Sequence, residues 1–388
     1  MSFFKRSSEE LLAFSTSVKK VVVRESPSKN KEGIADFVYQ PVFSVFDYGT
    51  INPPIPLDNS TVCLMAGFNF ELLRERGVES HFMGLVTDEG ELISAKEAVK
   101  RRVSPSAMRV KFVNRILPEF RNGEWSYSSF HNNPPSNYVH PIEFISRNEI
   151  PESSSVWKRV ERREISLNEL GLPGDFRPGE EVPDELKPIL DYSTKFEKED
   201  RYLTPMEAQE ILGISSKRFE KINNITIEAN RILTDYANSR GFKRLDGKVE
   251  YITFFNKSAM MQEDALGDAV CTWHEDRLTV NGIDISKQLI RKMVRENNPL
   301  WYEELEKAKR HAREEKIDDF RSVMDPKIKE SYRSPSALFF ERLNTLFRAG
   351  TNQWVGSKVY DVFREKSESI EDNLNRAIEE FQRIFPYY

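Results

Sequence analysis

Apolar residues crowd at positions 18–23 (Val-Lys-Lys-Val-Val-Val) and again at 35–39. The turn-forming Asn30-Lys-Glu-Gly33 lies between them, so the chain opens on an expected hairpin. Val42-Phe-Ser-Val-Phe-Asp-Tyr-Gly49 predicts a buried strand ending in an acid and a glycine. From Ser60 the period changes: Val62, Met65, Phe68 and Leu72 recur at helical spacing before Gly77, predicting a capped amphipathic helix. Residues 81–86 and 108–113 read as strands, and the polar stretch between Lys111 and Pro141 as a loop longer than such sheets need. Pro141-Ile-Glu-Phe-Ile-Ser-Arg-Asn148 alternates apolar and polar positions behind a proline suited to a strand's start. The Gly- and Pro-rich stretch 171–183 reads as a surface excursion. Thr204-Pro-Met-Glu207 is a capping box opening a helix that stops at Gly213, and Phe219, Ile222, Ile225, Ala229, Ile232 and Tyr236 form the apolar face of a longer helix ending before Gly241. Near the C-terminus, Ser334-Pro opens a helix with Leu338, Phe339, Leu343, Leu346 and Phe347, expected to close at Gly350. A second helix runs from about Ser369 through Ile370, Leu374, Ile378, Phe381 and Phe385. Faces this apolar require burial, either on the body of the protein or in a homo-oligomer contact.

Charge changes the picture at three places. Arg244-Leu-Asp-Gly-Lys-Val-Glu-Tyr251 puts Asp246, Lys248 and Glu250 on one strand face, because side chains at i, i+2 and i+4 point the same way. Three charges on one face are costly to bury unless they pair or meet a ligand or metal. The strand from Pro141 delivers Arg147 at its exit, and Ser154-Ser-Val-Trp-Lys-Arg159 follows. A guanidinium fork, small hydroxyls and loop N–H groups suit a phosphate or carboxylate, and a solvated basic loop is the alternative. Lys195, Glu197 and Asp200 gather in a mixed-charge segment, and Gln262-Glu-Asp264 supplies two adjacent carboxylates.

Composition then narrows the class. With 388 residues, 39% hydrophobic and 31% charged, the chain can bury a sizeable core, and two lobes are expected. A net charge of -5 argues against general nucleic-acid binding, which leaves small molecules or other subunits as partners. Two distant cysteines and five scattered histidines support neither a disulfide framework nor a zinc site, which fits a reducing cytoplasm. Met1-Ser-Phe-Phe-Lys-Arg lacks an apolar core segment and no run of about 18 apolar residues occurs, so a soluble, unprocessed chain without membrane contact is expected.

Pro-x-Glu-x-x-x-Arg-Asn followed by Ser-x-Trp-Lys-Arg resembles the signature of the SAICAR synthetase family, ATP-dependent ligases of purine synthesis. Ser44-Val-Phe-Asp47, Phe68-Asn-Phe-Glu-Leu-Leu73, Asp246-Gly-Lys-Val-Glu250 and Glu263-Asp264 resemble further family motifs in the family's order, over about residues 17–312. The resemblance implies an α+β, two-lobed fold: an antiparallel N-terminal lobe (1–138), a larger α+β lobe (139–312), ATP in the cleft between them, and a helical C-terminal extension (313–388). It implies that ATP activates the carboxylate of carboxyaminoimidazole ribonucleotide as an acyl phosphate, which the amine of L-aspartate attacks to give SAICAR. Lys248, Asp47 and Asp246 would be catalytic. Lys20, Lys111 and Glu143 would meet ATP, with the adenine near a hinge at 138–143. Ser44, Arg147, Ser155, Lys158, Arg159, Lys195 and Asp200 would meet substrates, with Lys287 and Arg291 as further contacts. Glu250, Glu263 and Asp264 would hold Mg²⁺, as hard oxygen ligands do. Three departures stand out: Ser17 where the family has glycine, Gly247 in place of an aromatic, and Cys271 where the pattern puts an arginine that Arg277 would replace. They leave two alternatives, a paralogue using another amino acid or ribonucleotide, and a nucleotide-binding protein without turnover.

Overall fold

The computed structural model describes residues 13–15, 18–50, 56–256, 261–268, 270–363 and 368–387; Ser17, Ile55 and the Met1-to-Arg6 stretch lie outside them. Its strands are β1 (Ala13–Ser15), β2 (Lys19–Glu25), β3 (Gly33–Tyr39), β4 (Ser44–Val45), β5 (Gly49–Thr50), β6 (Phe82–Val86), β7 (Leu92–Ile93), β8 (Ala107–Phe112), β9 (Glu119–Arg121), β10 (Glu124–Ser126), β11 (Tyr138–Arg147), β12 (Ile189–Thr194), β13 (Tyr202–Leu203), β14 (Lys243–Asn256), β15 (Met261–Gly267), β16 (Arg277–Val280) and β17 (Ile283–Asp284). The helices are α1 (Ser60–Glu75), α2 (Ala95–Arg101), α3 (Ser128–His131), α4 (Ser155–Glu161), α5 (Pro205–Leu212), α6 (Ser216–Ser239), α7 (Lys287–Asn297), α8 (Pro299–Glu314), α9 (Pro326–Lys329), α10 (Ala337–Val355) and α11 (Ile370–Ile384).

Two antiparallel sheets organise the chain. The N-terminal one has the order β1-β2-β3-β8-β6-β7, and the second has β13-β12-β11-β14-β16-β17. β14 is long enough to pair with β16 through its first half and with β15 through its second. Val113, Ile252, Phe254 and Ala265, with Val139 against them, form a small apolar cluster where β8 leads toward β11. The long polar stretch before β11 contains the β9–β10 hairpin and α3. The expected surface excursion at 171–183 folds Leu172, Phe176 and Val182 onto Ile150, Val156 and Ile189, a satellite core beneath α4.

Helix boundaries follow local chemistry. The Thr204/Glu207 capping box forms, and Gly213 closes α5 in the left-handed conformation. Three expectations are corrected. The buried strand at 42–49 breaks into the β4–β5 hairpin, because Phe46 (φ 52°) and Asp47 (φ 59°) take left-handed backbone conformations. α1 is buried around most of its surface, since the N-terminal sheet covers one side and α10 the other. α10 runs through Gly350 to a cap at Gly356, and Gly350 packs against the Trp273 ring instead of ending the helix. Phe339, Leu343, Leu346 and Phe347 of α10, and Leu374, Ile378 and Phe381 of α11, are buried in the main core, so most of these apolar faces find cover within the chain, while Leu338 stays exposed.

Candidate active site

Register builds the floor of the site. Across β11 and β14, Glu143 faces Glu250, Ile145 faces Lys248 and Arg147 faces Asp246. On the other flank of β11, Glu143 faces Ser193 and Ile145 faces Asp191, and beyond β14, Asp246 faces Arg277. Opposed residues in an antiparallel ladder project to the same side. One sheet face therefore gathers the three charges expected on β14 together with partners from three other strands.

Two halves of this face differ in sign. At one end Glu143 and Glu250 oppose each other, a destabilising like-charge pair unless cations intervene. Lys248 donates to Glu143 at 2.9 Å and approaches Glu275 at 3.7 Å. Lys195 pairs with Glu250 and lies 3.9 Å from Glu143. Burial, aided by Glu250, pushes the Glu143 carboxyl above its ordinary value against Lys248 and Lys195. Against burial, the same two lysines hold Glu250 below its own. Lys248 also works against burial, kept protonated well above the usual lysine range by Glu143 and Glu275.

At the other end the arginines outnumber their partners. Arg147 and Arg159 reach the same Asp191 oxygen at 2.8 and 2.6 Å, and Arg147 and Arg277 flank Asp246 at 3.5 and 3.4 Å. Arg277 also donates to Ser153 at 3.3 Å, and the Ser155 and Tyr202 hydroxyls lie 2.7 Å apart. Three guanidinium groups against two carboxylates leave a local positive excess. Arg147 and then Arg159 hold the Asp191 carboxyl below its ordinary value despite burial. Lys287, Gln288, Arg291 and Arg295 of α7 face the same space, a cleft of about 670 Å³ with basic side chains outnumbering acidic ones fourteen to ten along its lining. In a chain of net charge -5, that local excess marks a place for anions.

The turn carrying Asp47 forms another wall. Lys309 of α8 donates to Asp47 at 2.6 Å and, against burial, holds its carboxyl below the ordinary value. Glu199 bridges Lys309 and Arg313 at 3.7 and 2.7 Å. Asp200 and Lys158 are exposed at the cleft, Lys158 in contact with Glu306 at 3.4 Å. Ser44 sits in β4, outside the lining.

Several expected residues lie elsewhere. Lys20 points to the exposed face of β2, and its neighbour Lys19 is the buried one, contacting Asp268 with its ammonium 5.1 Å from the Tyr39 ring centre. Lys19, Val21 and Val23 share the inward face, while Val22 lies on the face of Lys20, so the run of valines alone does not select the inward lysine. Lys111 lies over the Phe254 ring at 4.6 Å. The expected pairing of Glu250 with Glu263 or Asp264 does not form. Glu250 stands opposite Gly267 while Asp264 stands opposite Thr253, three residues and about 10 Å along the strand. Asp264 instead binds Arg218 at 2.7 Å and His140 at 3.1 Å, and both acids line a separate groove. Cys271 is buried outside the cleft lining, beside the Arg244–Asp276 pair at 2.5 Å. A side chain on Gly247 would collide with the Arg244 guanidinium, so the missing aromatic makes room for that arginine. Glu275, Lys309 and Glu199 were not singled out in advance, because each reaches the cleft only through tertiary packing.

Among the described residues no cluster of three acids is already gathered as a metal centre. Glu143, Glu250 and Glu275 all lie around Lys248 and carry hard oxygen donors, the chemistry Mg²⁺ takes.

A two-lobed α+β body whose cleft sets lysine-bridged carboxylates beside an arginine cluster has the form of an enzyme that handles several anionic substrates at once. Comparison with known proteins agrees. The family model for SAICAR synthetase matches residues 28–308. A protein of Archaeoglobus fulgidus, provisionally named phosphoribosylaminoimidazole-succinocarboxamide synthase, is 31% identical over 365 residues, covering 94% of this chain and 99% of that one. The phosphoribosylaminoimidazole-succinocarboxamide synthase of Thermoplasma volcanium is 27% identical over 248 residues, 62% of this chain and 72% of its own. Among solved structures, the Saccharomyces cerevisiae SAICAR synthase complexed with SAICAR shares the fold, with a TM-score of 0.52 at 17% identity over 92% of this chain and 99% of that one. The chain belongs to the SAICAR synthetase family, and it is an ATP-dependent ligase of purine synthesis. Among the described residues no helix is long and apolar enough to cross a membrane.

Proposed function

We propose that the two ends of the β11–β14 face divide the ligase reaction between them. The glutamate–lysine end serves the phosphoryl groups of ATP, and the arginine end holds the phosphate of carboxyaminoimidazole ribonucleotide. The observation carrying this reading is the change in charge along one register, from the balanced Glu143/Glu250 with Lys195 and Lys248 to the net positive Arg147/Asp246 with Arg159 and Arg277. A carboxylate resists attack by an amine because oxide is a poor leaving group; phosphorylation by ATP makes phosphate the leaving group. Lys248, the most strongly held cation of the floor, offsets charge developing on the transferred phosphoryl, and Lys19 extends that field from the N-terminal lobe. Mg²⁺ supplies further charge neutralisation when bound with ATP, and Glu143, Glu250 and Glu275 are the carboxylates that would hold it.

Arg147, Arg159 and Arg277, with Ser153 and Ser155, grip the ribonucleotide phosphate, with Asp191 and Asp246 fixing the guanidinium planes. Asp47, steadied by Lys309, stands over the imidazole end, while Arg291 and Lys287 offer charge to the aspartate carboxylates. The arginine lost at position 271 is made good by Arg277 from within the cluster, which favours the ordinary substrates over a paralogue's. The lobes would be residues 1–138 and 139–312, with 313–388 as the extension, in a cytoplasmic enzyme. The test is ATP-, aspartate- and ribonucleotide-dependent amide formation by the purified protein. Loss of turnover in Lys248→Met, with nucleotide binding retained, is the expected result, and wild-type turnover in that variant would sink the assignment.

A further inference from the structure

The turn at residues 270–277 delivers Glu275 and Arg277 to the cleft, and its anchors come largely from a part of the chain that the family model does not cover. Trp273, fully buried, donates through Nε1 to Thr351 Oγ1 at 3.0 Å and stacks on the Phe347 ring, with centroids 5.6 Å apart and planes within 9°. A side chain on Gly350 would stand 2.9 Å from two carbons of that indole, so only glycine lets the ring approach the helix so closely. Trp354, also fully buried, donates to Asn69 Oδ1 at 2.8 Å. Asn69 in turn donates to the carbonyls of Val270 and Cys271 at 3.0 and 2.8 Å. At the far end of the turn Asp276 points away from the cleft into Arg244, which leaves its neighbours Glu275 and Arg277 directed into it. The matched family segment ends at residue 308, and Phe347, Gly350, Thr351 and Trp354 all lie beyond it on α10.

We propose that α10 is a positioning element of the active site: it clamps Trp273 and, through Trp354 and Asn69, the 270–271 carbonyls, so that Glu275 and Arg277 are held ready for substrate. The same helix also holds the entry to α1, since Arg348 binds Asp58 at 2.7 Å and Asn344 accepts from the Asp58 backbone N–H at 2.8 Å. A merely space-filling extension would need apolar faces, but not a hydroxyl that accepts from Trp273 and an indole that donates to Asn69, the residue holding the carbonyls of one active-site turn. The proposal rests on the roles given above to Glu275 and Arg277.

The test uses the full chain with two conservative substitutions on α10. Gly350→Ala adds one methyl against Trp273 while favouring the helix itself, and Trp354→Phe keeps an aromatic ring but removes the donor to Asn69. Hydrogen exchange at residues 270–277, kcat and KM for each substrate, and the melting temperature are measured together. In either variant exchange of the turn should accelerate by about tenfold or more, and kcat/KM for the ribonucleotide should fall by a similar factor, with exchange elsewhere unchanged. Trp273→Phe, smaller at that contact, should recover part of the Gly350→Ala loss. Unchanged exchange and rate in both variants overturn the proposal, as does a rate loss that follows only global melting. Glu275→Gln and Arg277→Ala separate the two readings. If those are silent, the site assignment has failed and this proposal with it; if they are impaired while the α10 variants are not, the brace alone has failed.

Discussion

Arg277→Ala is the substitution on which the substrate assignment turns. The side chain is about 10% exposed, sits 3.4 Å from Asp246 and 3.3 Å from Ser153, and shares Asp246 with Arg147. On the proposed reading, removing it deletes one charge-assisted contact to the ribonucleotide phosphate, worth about 1.5–3 kcal/mol. At about 1.4 kcal/mol per decade, that is roughly a 10- to 150-fold loss in kcat/KM for the ribonucleotide. The loss should fall in the upper part of this range, because Asp246 would keep only the longer contact with Arg147 and its freed charge would repel the phosphate. Steady-state amide formation at saturating ATP and aspartate measures it. KM for ATP should move by no more than about threefold, since the lysine end of the floor is untouched. Cys271→Ser should be nearly silent, because the thiol lies outside the cleft lining. Cys271→Arg should destabilise the fold by about 3–5 kcal/mol, as a second buried cation beside Arg244 would have only Asp276 to share. Equal losses for ATP and ribonucleotide in Arg277→Ala, or none, would refute the division of the site.

Other outcomes follow from single contacts. Lys309→Met should leave Asp47 without its cation in a left-handed turn, lowering stability by about 1–3 kcal/mol in urea unfolding and slowing turnover; an unchanged midpoint and rate would show the pair to be incidental. Lys287, pushed down to about 8 by burial and the neighbouring Arg291, is charged below that pH and loses its charge above it. Affinity for the anionic substrates should therefore fall as pH rises through about 8, and Lys287→Arg should flatten that limb of the KM profile. Glu250→Gln should raise the Mg²⁺ concentration needed for half-maximal activity, whereas Asp264→Asn should lower stability through Arg218 and His140 and leave the Mg²⁺ titration in place. The reverse pattern would return the metal to the Glu263–Asp264 pair.

What sequence could show depended on how far apart the cooperating residues lie. Alternation along β14 revealed Asp246, Lys248 and Glu250 as one face, because a strand's two-residue period is local. It could not reveal that Glu143 would stand opposite Glu250, or Arg277 opposite Asp246, since those pairings join positions more than a hundred and about thirty residues apart. The Lys19–Lys20 pair shows where a uniform apolar run decides nothing: motif alignment favoured Lys20, while the fold turns Lys19 inward with Val21 and Val23. The acids at 263 and 264 had suitable chemistry and order, but the β14–β15 register carries them three residues past Glu250, to where Arg218 and His140 claim Asp264.

The departures from the family pattern gain meaning only in three dimensions. Read singly, Gly247 is a lost aromatic and Cys271 a lost arginine. In the fold the two positions close on one space, filled by the Arg244 guanidinium, which binds Asp276 and Asn230 and cannot coexist with a side chain at 247. A guanidinium there holds Asp276 away from the cleft, and its two neighbours in the turn, Glu275 and Arg277, face the cleft. The loss of an arginine at 271 and the arrival of Arg277 in the cleft are then two consequences of one rearrangement. If that is so, Arg244→Met should impair the ribonucleotide step although its side chain is about 1% exposed and outside the cleft lining. Arg244→Met with Asp276→Leu, which removes the charge pair as a unit, should recover stability but not turnover. Full recovery of turnover in the double variant would show that the pair serves packing alone.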